Sequence, residues 1–553
     1  MSHSRLFSAD PMELVPFLVE DCIPGDVWKI GAEIVVRNNP LNAPIMHQQD
    51  MYRWYFFVPY RLLWRQWEKF YTGGVGGDNV SVPPKVNGVL SAYPWDAFRA
   101  RGIGDYLGFN VIGSSDASWS VYNKLPHSFP LTAYYFIWNE YFRDQNVVRD
   151  YWNENFFPDT AQYPVIDLNL LIAQGLATSR GLMKKAWRKD YFTASLPFQQ
   201  RGVTPSFGIG GSASLMNVPT FSPTGTGIEN FVVNPSTPNN LAENFINIIN
   251  ASIQGTSQPV MHARGATSAN TTSRAVAYST AWNQLFGSLA IDTSNMVINA
   301  NVHDMRAAFA ITRFMELNAR AGVRYVEFLK AHFPSFPRDD RLQRPEYVGG
   351  AKLPILVSEV LQTAESGSTG GVGNMLGHGI SVDKDRTAVY RVQEPGVLMG
   401  ICSFVPESMY QQGLERMWTK DTRYDYYFPA FQNLSEQDVR TYELYNYSAG
   451  YPVDDLHGFI GKYDEYRYRR NSVHGMFKNE FRYWHMGRMF GNAPRLNNAF
   501  LYPSDVEVSD PADGLKRVLQ VPTEPMYLVH LGNVLKVARP MNLVPIPGLI
   551  DHM

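Results

Sequence analysis

Cysteine is nearly absent: Cys22 and Cys402 are the only two in 553 residues. They stand far apart and outside any CxxC or Cys/His spacing, which argues against a disulfide framework and a structural zinc site and points to a reducing place of synthesis. Charge is sparse as well. Asp, Glu, Lys and Arg make up 18% of the chain, against about 25% in soluble domains, so partners are expected to cover part of the surface. Lys plus Arg total 49 and Asp plus Glu 51, a net charge of -2, which excludes a protein-wide basic field for DNA or an anionic membrane and leaves only local patches. No run of about 18 apolar residues occurs, and the N-terminal "MSHSRLFSADPMELVPFLVED" lacks the basic start and long apolar stretch of a secretory signal. The chain is expected to be made and kept soluble, without membrane insertion, and to leave its cell only when that cell breaks.

Enzyme signatures are missing too. The glycine clusters "TGGVGG" (72–77) and "GGVGNMLGHG" (370–379) supply neither GxxxxGK[ST] nor a GxGxxG between a strand and a helix, and read as flexible loops. In "SVDKDRT", Asp383 and Asp385 have a calcium-like spacing but lack the later ligands of an EF-hand, so a solvated turn is expected. His303, His332, His474 and His485 form no HExxH and no i, i+4 pair, and no GxSxG elbow occurs. No catalytic residue and no cofactor is assigned, and the question of a metal stays open.

What the chain does have is apolar and aromatic substance: 45% hydrophobic and 14% aromatic residues, with 31 tyrosines. In "VWKIGAEIVVR", Trp28, Ile30, Ala32, Ile34 and Val36 alternate with polar or small residues, the mark of a half-buried strand. "MYRWYFFVP" sets Tyr52, Trp54, Phe56 and Val58 on one side and stops at Pro59, giving a second, facing strand. Helices are expected in "RLLWRQWEKFYTGG", in "AYYFIWNEYFRDQN", and over "VHDMRAAFAITRFMELNARAGVRYVEFLKAHF", with Asn301 as N-cap and Gly322 as a break. The fold class is mainly β with long, partly helical excursions. Residues 203–300 differ in kind: their only charged residues are Glu229, Glu243, Arg264, Arg274 and Asp292, amid Gly, Ser, Thr, Asn, Pro and Ala. Disordered linkers carry more charge, so this reads as a folded or partner-ordered insertion between 1–202 and 301–553.

Two stretches concentrate specific chemistry. "PRDDRLQRPEYVGGAKLP" (337–354) is broken by three prolines and two glycines and can be neither a helix interior nor a central strand. Extended, it places Arg344 beside Glu346 on one face and Arg341, Gln343 and Tyr347 on the other, polar anchors for a neighbouring subunit; a polar loop with internal ion pairs fits as well. "KYDEYRYRRN" interleaves Tyr466 and Tyr468 with Arg467, Arg469 and Arg470, platforms and cations of the kind single-stranded nucleic acid requires. A wet strand over packed tyrosines is the competing reading.

Several segments together resemble the major capsid proteins of the Microviridae, small icosahedral single-stranded DNA bacteriophages, and their gokushovirus branch in particular: "LVPFLVEDCIPGD", "NAPIMH" with "YFFVPYRLLWRQWEKFYTGG", "IWNEYFRDQN", "DYFTASLPFQQRG", "DRLQRPEYVGG", "YDEYRYRR" and "ARPMNLVPIPGLIDH", in family order. The resemblance implies an eight-stranded antiparallel viral jelly roll whose long loops build a T=1 shell around a circular single-stranded DNA genome. It also implies assembly in the cytoplasm of a bacterial host, a small basic DNA-packaging protein as partner, and an insertion near 203–300 forming a threefold protrusion that meets a host cell-surface receptor. A function from another class also fits the aromatic content, that of a carbohydrate-binding or carbohydrate-cleaving β protein.

Overall fold

The computed structural model describes residues 1–72, 81–92, 94–109, 111–113, 118–119, 122–202, 209–210, 214–216, 290–292, 297–298, 302–321, 327, 330–331, 338, 343–361, 375–434, 436–447 and 455–541. Contacts divide the chain into two units, Met1–Gly202 with Met315–Met553, and Val203–Phe314. In the second unit, Ile209–Gly210 pairs antiparallel with Val297–Ile298, and Ser214–Met216 with Ala290–Asp292.

The first unit is built on strands β1 (His3–Ala9), β2 (Val15–Cys22), β3 (Val27–Asn38), β4 (Gln49–Pro59), β5 (Glu346–Pro354), β6 (Val357–Leu361), β7 (Met375–Arg391), β8 (Gly396–Pro406), β9 (Glu436–Arg440), β10 (Leu456–Gly461) and β11 (Tyr527–Ala538). Two antiparallel sheets carry the core, one in the order β1-β11-β3-β7-β6 and the other β5-β4-β8-β2. The alternation read in β3 is real: Trp28, Ile30, Ala32, Ile34 and Val36 are buried, while Lys29, Glu33 and Arg37 face solvent. Contacts between the sheets close the core. Phe404 of β8 stacks on Tyr527 of β11 at 4.0 Å, and Phe57 of β4 meets Tyr390 of β7 at 5.3 Å. Every residue of β8 is buried, as expected of a strand covered on both faces.

The outer cover of the second sheet comes from a chain excursion. Tyr52, Trp54 and Phe56 share a face of β4, as their spacing predicts, and Trp54 and Phe56 on that face meet the chain just after helix α2, which itself follows a first short helix α1 (Trp67–Thr72). Helix α2 (Phe129–Ile137) is buried on all sides and runs into a wider π-type turn over Trp138–Phe142. There Phe142 packs edge-on to Trp54 at 4.9 Å and Tyr141 lies 4.7 Å from Phe56. Buried phenols need partners. Tyr134 donates to the Leu14 carbonyl at 2.7 Å and Tyr135 to that of Gly181 at 3.0 Å. A third helix, α3 (Val302–Ala321), ends one residue before Gly322; that glycine and Asn301 lie outside the described residues, as does Gly73–Gly77.

Two sequence expectations are corrected. Met375–Gly379, read as the end of a flexible glycine loop, is the start of β7 and pairs residue by residue with β6. "SVDKDRT", read as a solvated turn, also lies in β7, with Asp383 opposite Ile34 and Asp385 opposite Ala32 of β3. The period of two then aims both carboxylates at buried Arg53 of β4, which holds Asp383 and Asp385 at 2.8 Å each. Their spacing served an inter-sheet ion pair. Among the described residues, no group of His, Cys, Asp and Glu side chains converges as a metal site, and no helix is long and apolar enough to cross a membrane.

Candidate assembly and nucleic-acid surfaces

Within the proline-broken segment, β5 follows Pro345, ends at Pro354 and forms an edge of the second sheet, hydrogen-bonded to β4. Edge placement is what prolines at strand ends permit, and edge strands are where a neighbour can add. Arg341 lies outside the described residues. Gln343 adopts a left-handed conformation, φ 54°, which breaks the extended path just before Arg344. Arg344 and Tyr347 therefore do not divide between two faces. The Arg344 guanidinium sits 5.1 Å over the Tyr141 ring, Tyr347 lies 6.5 Å from the same ring, and the Tyr141 hydroxyl donates to the Pro345 carbonyl at 2.5 Å. Tyr347 remains 48% exposed. Glu346 turns to the other side, accepting a hydrogen bond from Tyr390 at 2.8 Å. Burial pushes the Tyr390 phenol up, and the Glu346 carboxylate adds to the shift, so the phenol stays a donor.

The tyrosine-arginine stretch is not a strand. After Tyr463, left-handed at φ 66°, Asp464–Tyr466 forms one 3-10 turn, and the chain continues without regular structure. Arg467 closes the turn on itself, donating to the Lys462 carbonyl at 2.9 Å and to Asp464. Arg469 reaches Glu415 at 3.1 Å with most of its side chain in solvent. Arg470 has a different role: it donates to the carbonyls of Glu443 and of Gly413, the latter at 2.9 Å. Those carbonyls converge because Gly413 packs so tightly that an added Cβ would stand 1.9 Å from the Glu443 oxygen.

Tyr466, Tyr468, Arg469 and Arg470 line a cleft of about 220 Å³ with Tyr191 and Phe192 at its base. Burial pushes the Glu443 carboxyl at this cleft up, against the pull of Arg416. Tyr466 and Tyr468 are 56% and 61% exposed at its rim. Lys420 stands 4.1 Å from the Tyr466 ring centre and donates to its hydroxyl at 2.6 Å. Sequence reasoning missed the neighbouring run "RMWTKDTRYDYYF" (416–428), which supplies Lys420 and Tyr426 to the cleft and leaves Trp418, Tyr424 and Phe428 largely exposed. The same interleaving of rings and cations that singled out 466–470 could have found it.

An edge strand with an exposed tyrosine and a cleft with half-exposed aromatic rims leave uncovered surface on this chain, and the class that sequence comparison assigns is a structural coat protein. The profile of the capsid protein (F protein) family matches residues 1–549, and the chain belongs to that family. Capsid protein VP1 of Chlamydia phage 1 is 29% identical over 99% of this chain and 94% of its own length. VP1 of Bdellovibrio phage phiMH2K is 29% identical over 88% of this chain and 84% of its own, and VP1 of Spiroplasma virus 4 is 25% identical over 99% and 94%. The resemblance to Microviridae capsid proteins holds along the whole chain. This protein is a structural capsid component of a bacteriophage virion that assembles with itself, not an enzyme, and the carbohydrate reading is set aside.

Proposed function

We propose that the chain is a jelly-roll subunit of a T=1 icosahedral shell enclosing a circular single-stranded DNA genome. The observation that carries this reading is the strand order. Apart from the short β6, each sheet has four long strands, and taking these eight in chain order, consecutive strands fall in opposite sheets at every step except β4 to β5. That interleaving, with long excursions between β4 and β5 and between β8 and β11, is the wrapping of a jelly roll. Arg341, Arg344, Glu346 and Tyr347 are assigned to a subunit contact, on the support of an edge strand bearing a half-exposed tyrosine. Tyr466, Arg467, Tyr468, Arg469 and Arg470 are assigned to the genome-facing surface, on the support of a ring-lined cleft. At net charge -2 the subunit cannot neutralise a genome, so a small basic packaging protein is the expected partner. Residues 203–300, poor in charge, are assigned to an outward protrusion that meets a host receptor, with assembly in the bacterial cytoplasm. An image reconstruction of purified particles tests the whole: it should show one subunit per icosahedral asymmetric unit with the cleft facing inward. A monomer, another lattice or an outward cleft would overturn the reading.

A further inference from the structure

A second, larger cleft of about 420 Å³ opens where the β1–β2 loop meets Arg101, Arg180 and the segment around Lys516. Among its lining side chains are the cations Arg101, Arg180, Lys184 and Lys516 against the carboxylates Asp10, Glu13 and Asp505, a surplus of one positive charge. These charges are poorly hydrated: Asp10, Glu13, Lys184 and Lys516 are each at most 5% exposed. Acceptors are in short supply. Asp10 serves Arg101 at 2.8 Å, Lys516 at 3.2 Å and Arg180 at 3.4 Å, and also accepts from the Met526 amide at 3.1 Å. Glu13 is taken by Arg180 at 2.5 Å, and Lys184 by Asp505 at 2.8 Å.

Donors, by contrast, are left over. Thr178 is 7% exposed and lines the cleft, with its Oγ1 buried and lacking a hydrogen-bond partner among the described residues; the Nε atoms of Arg101 and Arg180 are in the same condition. A partly buried site with an uncompensated positive charge, overshared acceptors and unmet donors is completed by an oxyanion. Burial pushes the Glu13 carboxyl up against the pull of Arg180, and its protonation would enlarge the positive surplus. Phosphate oxygens offer more acceptor positions around one centre than a carboxylate, and match guanidinium forks and ammonium groups together.

We propose that this cleft binds one phosphate-type anion, supplied as free phosphate or as a phosphodiester of single-stranded DNA. The site stands on its own geometry and does not depend on the genome-facing assignment of the tyrosine cleft. Calorimetric titration of the purified full-length chain with inorganic phosphate at constant ionic strength should show saturable binding at one site. Thr178→Val and Lys516→Gln should each weaken it about tenfold or more, while Arg495→Gln, at an exposed ion pair with Asp455 outside the cleft lining, should leave it unchanged. Short oligothymidylate that displaces phosphate, and fails to bind these two variants at this site, identifies a phosphodiester as the source; binding of phosphate without displacement identifies the free ion. Absence of saturable phosphate and oligonucleotide binding by the folded wild type overturns the proposal, and so does unchanged affinity in the variants. Should Lys516→Gln fail to fold, Thr178→Val, which keeps the side chain's shape and removes only the hydroxyl, decides alone.

Discussion

Arg53 of β4 crosses from one sheet to the other and grips Asp385 of β7 with both terminal nitrogens, at 2.8 and 3.4 Å. The guanidinium is wholly buried, whereas the carboxylates of Asp385 and of Asp383, its second partner, keep about a quarter of their surface in solvent, 24% and 29%. That asymmetry makes the two halves of the network unequal. Replacing both aspartates by Asn strands a buried charge and should cost about 3–5 kcal/mol in urea unfolding. Arg53→Met should cost less, because the freed carboxylates can turn to water and the methionine can fill the space. Equal losses, or a larger loss in Arg53→Met, would contradict this account.

Two buried histidines contribute to the acid response. His47 and His457 are each held down to about 4 by burial, opposed by hydrogen bonds to the backbone at Glu407 and Pro494 respectively. In the unfolded chain a histidine titrates near 6.5, so between these values the unfolded state binds more protons. The stability from each neutral ring is complete above about 6.5, falls as pH drops, and stops falling near 4. The loss is at most about 3 kcal/mol per ring. Urea midpoints measured across this window should fall with acid, and His47→Gln should flatten part of the slope. A slope unchanged in both His47→Gln and His457→Gln would refute the assignment.

If the proposed subunit contact holds, Arg341→Ala combined with Arg344→Ala should leave a folded subunit that assembles poorly. Among the contacts of Arg344 that the change removes inside the subunit is a cation–ring contact with Tyr141, worth about 0.5–1 kcal/mol. The drop in shell yield should therefore far exceed the small shift in the unfolding midpoint. Wild-type yield and particle heat resistance would remove the segment from the interface.

What could be read from sequence followed from period. Trp28 to Val36 and Tyr52 to Val58 announced their strands because alternation is enforced along a single chain segment, and "AYYFIWNEYFRDQN" announced a helix for the same reason. Contacts distant in sequence left no such trace. Nothing near Asp383 and Asp385 indicated that Arg53, some 330 residues away, would claim them, and their polarity made a strand look like a turn. The tyrosine-arginine stretch was legible as chemistry but not as conformation, since one left-handed residue, Tyr463, turned an alternating pattern into a 3-10 turn. The anion cleft was invisible altogether, because its charges come from segments near residues 10, 101, 180 and 516.

Genome contact at the tyrosine cleft can be tested only if structural and available arginines are kept apart. Arg470 is bound to two carbonyls and shielded, and burial lowers its guanidinium; replacing it would loosen the loop and confuse the result. Arg467 and Arg469 reach solvent and are held by exposed ion pairs worth about 0–1 kcal/mol, which a phosphate can displace. Tyr468 offers an open ring, and stacking on a base is worth about 1–3 kcal/mol. Arg467→Gln with Arg469→Gln should therefore lower the salt dependence of oligothymidylate binding by about 1.4 in log–log slope, two contacts at about 0.7 each. Tyr468→Ala should weaken binding at every salt concentration without changing that slope. In particles, the double variant should form shells that retain less DNA than wild type at low salt, with the difference narrowing as salt rises. An unchanged slope together with both side chains at a protein-only or outer surface of the particle would return this stretch to a purely structural role.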